Sequence, residues 1–148
     1  MDVALDRTRL LDIAFERTGL GDLGDVPFAE PMDVLIEALE CQARVEGQRR
    51  ANAAETLIAS LVKRLRLVAD RAANLSIADE RITAPVFIVG LPRTGSTHLH
   101  GLMGQVQAAR TPSFWEMNAP SPPPEAATAD NDPRITMVQA ALDQMPAE

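Results

Sequence analysis

The chain holds a single cysteine, Cys41, among its 148 residues. An internal disulfide and a cysteine-based zinc cluster are therefore excluded, and the usage fits a reducing cytoplasm. No run of eighteen apolar residues exists, so the sequence offers no membrane-spanning helix. The start, Met1-Asp2-Val3-Ala4-Leu5-Asp6, lacks both the basic beginning and the apolar core of a secretory signal. Basic residues are the minority, 14 against 21 acidic for a net charge of −7, and they form no stripe. DNA and RNA are thereby disfavoured as main partners. Aromatics are scarce at 3%. What remains is globular in character: 46% hydrophobic and 24% charged residues argue against full-length disorder. Prolines are the exception to scarcity. Four of the 11 fall at Pro120, Pro122, Pro123 and Pro124, which keeps that stretch out of regular core structure.

The first eighty residues read as helices. Leu5, Leu10, Leu11, Ala14 and Phe15 recur at helical spacing, and Gly19 and Gly21 supply a stop. A second helix is expected from Pro31, with Val34, Leu35, Ala38, Leu39 and Val45 on one face and Gly47 at its end. A third runs from about Arg50 to Ala73 on the stripe Leu57, Ile58, Leu61, Val62, Leu65 and Val68. Cys41 is expected to be a small buried hydrophobe.

The pattern changes at Ile82-Thr83-Ala84-Pro85. Val86-Phe87-Ile88-Val89 is an unbroken apolar run with three β-branched residues, and it predicts a strand buried on both faces in a parallel sheet. Gly90-Leu91-Pro92-Arg93-Thr94-Gly95-Ser96-Thr97 follows, then Leu99, Leu102, Met103 and Val106 on a short amphipathic helix. Strand, glycine loop and helix in that order are the grammar of a phosphate-binding α/β unit. The loop nearly matches G-x-x-x-x-G-K-[ST], but Ser96 stands at the lysine position and the cation, Arg93, comes three residues earlier. A guanidinium, the hydroxyls of Thr94, Ser96 and Thr97, and Gly95 thus crowd into five residues. Backbone N–H groups opening the helix would add donors. Residues 110–118 read as a second short strand or an ordered loop, and Ile135 to Met145 as a final helix. Two domains are expected: a helical segment over 1–83, and the start of an α/β domain over 84–148.

Pro92-Arg93-Thr94-Gly95-Ser96-Thr97 after an apolar strand resembles the 5′-phosphosulfate loop of sulfotransferases. Leu99, Leu102, Trp115-Glu116 and Pro122-Pro123-Pro124 extend the likeness to a bacterial branch with a helical N-terminal segment. The resemblance implies a P-loop-like parallel-sheet fold, here truncated. It also implies 3′-phosphoadenosine 5′-phosphosulfate (PAPS) as the sulfuryl donor, without a metal. Arg93, Thr94, Gly95, Ser96 and Thr97 would hold the donor, with Arg93 also offsetting charge during transfer. Glu116 is the candidate base for a hydroxyl or amine acceptor. Phe114-Trp115 and the proline run suggest a small-molecule acceptor such as a lipid, sterol or other hydrophobic alcohol. The 3′-phosphate and adenine elements of the family are missing, so the isolated chain is expected to be inert and to associate through exposed surfaces.

Two other readings stay open. One is a P-loop kinase or NTPase, opposed by Ser96 and by the lack of an apolar strand ending in Asp. The other is a helical interaction module, since residues 1–80 carry no chemistry of their own. His98 and His100, two apart on a helix, point in different directions and cannot jointly ligate a metal. Asp130 and Asp132 read as solvated turn residues.

Overall fold

A computed structural model describes residues 5–91, 93–125 and 127–143. The chain divides into two compact units, Met1–Leu75 with Ser121–Pro123, and Ser76–Pro120 with Pro124–Glu148.

The first unit is helical. Helix α1 (Arg7–Thr18) starts where the Asp6 carboxylate accepts the Arg9 N–H at 3.0 Å. It stops at Gly19, whose φ of 67° is a left-handed turn that glycine adopts without strain. Helix α2 (Ala29–Glu37) widens into a π-helical turn, Ala38–Gln42. Helix α3 (Gly47–Ala73) spans 27 residues. Its Ala54, Ile58, Leu61 and Leu65 recur every three or four positions and are all buried. They meet Leu10 and Ala14 of α1, Met32 of α2, and Leu5. Burying each large aliphatic side chain contributes about 1.5–3 kcal/mol, so these contacts hold the unit together. Polar ties fix the connections. Arg17 forks onto Glu55 at 2.8 and 2.6 Å. Arg64 donates to the carbonyls of Leu23 and Val26 and stacks 4.6 Å over the Phe28 ring.

The second unit contains α4 (Ser76–Asp79), α5 (Ser96–Met103), α6 (Phe114–Asn118), a 3-10 turn (Ala129–Asn131) and α7 (Pro133–Asp143). None of its described residues is a buried hydrophobic. Among the described residues of the whole chain, no helix is long and apolar enough to cross a membrane.

Several expectations need correction. The α/β parallel-sheet fold is not observed, because the described residues form no strand. Val86, Phe87 and Val89 are 70%, 81% and 93% exposed. A strand is completed by hydrogen bonds to a neighbour, and no described segment pairs with this one. An apolar run alone cannot supply the ladder. Residues 110–118 hold helix α6 and no strand. Gly47 opens α3 and does not close the helix before it. On α2 Val34 and Leu35 are exposed, while Met32 is buried and Ile36 packs against the core; beyond the helix, Leu39 and Val45 meet the core as expected. Cys41 lies on the surface. The last described helix ends at Asp143, and the expected terminus at Met145 lies outside the described residues.

Candidate functional site

The glycine loop leads directly into α5. Thr94 donates its hydroxyl proton to the Leu91 carbonyl at 2.7 Å, folding the loop back on itself. Gly90 has to be small for this bend, since a Cβ there would lie 2.9 Å from the Thr94 hydroxyl oxygen. Arg93 and Gly95 both have positive φ, 67° and 87°. Glycine adopts that region freely, whereas for arginine it costs about 1–2 kcal/mol. Pro92 lies outside the described residues.

Gly95 caps α5 with its carbonyl, which accepts the Leu99 N–H at 3.0 Å. Among the described residues no side chain caps this helix. The N–H groups of the first turn, on Ser96, Thr97 and His98, have no intrahelical acceptor and sit at the positive end of the helix dipole. Arg93, Thr94, Gly95 and Thr97 are exposed and Ser96 is half-buried. The residues singled out in the sequence therefore form one continuous, donor-rich surface at a helix start. His98 is exposed and His100 half-buried on the same helix.

Glu116 sits apart from this loop in sequence, on α6, and has partners of its own. Its Oε2 accepts the Ser113 backbone N–H at 2.6 Å and the Ser113 hydroxyl at 2.9 Å, a capping box that starts the helix. Its Oε1 accepts from Arg110 at 2.6 Å. The Ser113 N–H, helped by the Ser113 hydroxyl and the Arg110 charge, holds the carboxyl below its ordinary range against the opposing effect of burial.

A second polar cluster follows at Asp132, where the sequence predicts only a solvated turn. Asp132 precedes α7 and accepts the Arg134 backbone N–H at 2.9 Å. The Arg134 guanidinium returns two bonds to the same carboxylate, at 2.8 and 2.6 Å. It also donates to the Ala119 carbonyl at 2.8 Å and lies 4.9 Å over the Trp115 ring. The signal was legible: Asp132-Pro133-Arg134 is a helix-opening triplet with Asp as cap and Pro at the first turn. Ser113-x-x-Glu116 is likewise a capping-box pattern.

The Arg134 hydrogen bond, more than any other influence, lowers the Asp132 carboxyl from 3.8 to about 2. The sign follows from linkage: the stabilisation is complete above the unfolded value of 3.8 and disappears as pH falls through about 2. Glu116 is depressed too and adds to the same acid limb. Trp115, the sole tryptophan in a chain without tyrosine, provides the readout. Its emission should stay constant above pH 4.5 and change between there and about 2, with the transition diminished in Asp132→Asn. A flat profile across that window would contradict the coupling.

Phe114 and Asn118 of α6 face Met137, Val138, Ala141 and Leu142 of α7 across an apolar groove of about 370 Å³. Helical residues advance by about 100° each, so Glu116, two positions from both Phe114 and Asn118, faces away from the groove.

Comparison with known proteins accounts for this arrangement of loop and helices. The sequence pattern described as the sulfotransferase family matches residues 85–147. Over these residues the chain is similar to the sulfotransferase family. A comparison with curated protein sequences gives no match. Among solved structures, the chain is similar to the sulfotransferase STF1 of Mycobacterium tuberculosis H37Rv, with a TM-score of 0.81 and 29% identity over 97% of its length. It is also similar in fold to the sulfotransferase STF9 of Mycobacterium avium, with a TM-score of 0.81, 23% identity and full coverage of this chain. The chain spans only 40% of the STF1 chain and 39% of the STF9 chain. The sulfotransferase match contains the glycine loop, Trp115-Glu116 and the Asp132–Arg134 pair. It begins at Pro85, and the buried core of the first unit lies before it.

Proposed function

We propose that the glycine loop binds the 5′-phosphosulfate end of PAPS and that the chain serves sulfuryl transfer to a hydroxyl or amine acceptor. The observation that carries this reading is the start of α5, where among the described residues no side chain caps the first-turn N–H groups and Arg93 and three hydroxyls lie beside them in sequence. A doubly charged anhydride needs such a set of donors. The fit covers the phosphosulfate end of the donor.

In this scheme Arg93 binds a pair of donor oxygens, and Thr94, Ser96 and Thr97 supply further hydrogen bonds. The S–O bond to the donor phosphate breaks as the acceptor oxygen or nitrogen bonds to sulfur. The bridging oxygen leaves with the electron pair, and Arg93 with the helix N–H groups offsets its charge. The acceptor proton passes to Glu116 in this reading. Glu116 is ionised at neutral pH, as a base must be, although its partners at Ser113 and Arg110 make it a weak one. The apolar side chains near Trp115 suit a hydrophobic alcohol.

Ser96 at the usual lysine position separates this scheme from an ATP-binding loop. Calorimetry on a protein carrying this chain within the complete fold of its structural neighbours tests the difference. Adenosine 3′,5′-bisphosphate is expected to bind without magnesium, and ATP with magnesium to bind more weakly. The reverse preference rejects the proposal.

A further inference from the structure

Helix α6 is only five residues long, too short to persist without outside support. Its two ends are held differently. Ser113 and Glu116 close the first turn through the capping box. At the other end, Arg134 donates to the carbonyl of Ala119, the residue that ends the helix, and covers the Trp115 ring. Asp132 grips the opposite edge of the same guanidinium by two bonds, and the Asp132 and Arg134 side chains are only 10% and 13% exposed. The guanidinium therefore works as a rigid plate between the start of α7 and the end of α6. Lysine has no planar fork and could not make these contacts at once.

We propose that Arg134 is a positioning residue, fixing the roll of α6 about its axis and so the direction in which Glu116 presents its carboxylate. The inference rests on the reading of Glu116 as base. Trp115 and Glu116 are adjacent on one turn, so holding the indole face also holds the carboxylate. The Ser113 cap alone secures the start of the helix and leaves its end free to swing.

Three variants test this: Arg134→Gln, Arg134→Lys and Glu116→Gln. In this chain, Trp115 emission and acrylamide quenching report the stacking, and circular dichroism reports helix content. Arg134→Gln should raise quenching severalfold with the helical signal retained, and Arg134→Lys should fall between it and the parent chain. In a protein with the complete fold, Arg134→Gln should lower kcat by roughly 10- to 100-fold while donor affinity is unchanged. Arg134→Lys should recover part of that loss. Unchanged quenching in Arg134→Gln overturns the proposal, as does donor affinity falling in step with kcat. A fall in kcat for Glu116→Gln and none for Arg134→Gln removes the positioning role and leaves the base reading standing. No fall for either removes both. Should Arg134→Gln lose its helical signal, Arg134→Lys, which keeps charge and stem, carries the same comparison.

Discussion

Substituting Arg93→Ala in a protein with the complete fold is expected to weaken donor binding by about 30- to 150-fold, the equivalent of roughly 2–3 kcal/mol for a lost charge-assisted contact. Arg93 is exposed beside the start of α5, and no lysine stands in the loop to replace its charge. The position also has a φ of 67°, so the side chain and the backbone make separate contributions. Arg93→Gly separates them. Glycine removes the same guanidinium and relaxes the backbone, so its affinity should match that of the alanine variant while the loop gains about 1 kcal/mol in stability. Arg93→Lys retains the charge without the two-pronged geometry and should fall between alanine and the parent. Titration of adenosine 3′,5′-bisphosphate by calorimetry measures all three. Equal affinity in parent and Arg93→Ala would move the case to a helical interaction module, in which the first unit carries the function and the loop is a turn.

The largest effect on stability is expected at Leu65. This side chain is fully enclosed, as are Leu10 and Ile58. Truncation to alanine leaves a cavity in the core of the first unit and should cost about 2–5 kcal/mol. A unit of this size has only about 4–11 kcal/mol in total, so Leu65→Ala should lie close to unfolding at room temperature. Arg17→Ala provides the contrast. It breaks a two-bond tie to Glu55, but both side chains are about half exposed and water screens the pair, so the loss should be small. Urea titrations followed by far-ultraviolet circular dichroism compare the two. A Leu65→Ala midpoint no lower than that of Arg17→Ala would mean that the first unit is not held by this core.

Much of the first unit was legible because a helix repeats its apolar positions locally. Leu10 and Ala14, then Ile58, Leu61 and Leu65, are read directly from their spacing and are buried as that spacing requires. Gly47 was ambiguous for a physical reason. Glycine is favoured at a helix end and tolerated at a helix start, and its positive φ of 52° serves the turn before α3. The glycine loop was legible for a related reason, since Gly90 and Gly95 meet steric demands set within five residues. The sheet failed because it is not a local property. Val86–Val89 has the composition of a buried strand, but its hydrogen-bond partners must come from elsewhere, and nothing in the run encodes them. Arg134 was missed through the same asymmetry. Its bond to Asp132 spans two residues and follows from a cap pattern. Its reach to Ala119 and Trp115, 15 and 19 positions back, is tertiary.

Helix α3 has one mechanical consequence. At about 1.5 Å per residue it is roughly 40 Å long, while its buried side chains fall within a central stretch of about 17 Å between Ala54 and Leu65. Beyond that stretch the helix is tied by polar contacts, Arg50 to Glu40 and Ser121 to Asp70, for which water competes. Amide protons should exchange with solvent from the two ends inward, and those around Ile58 should be the last to go.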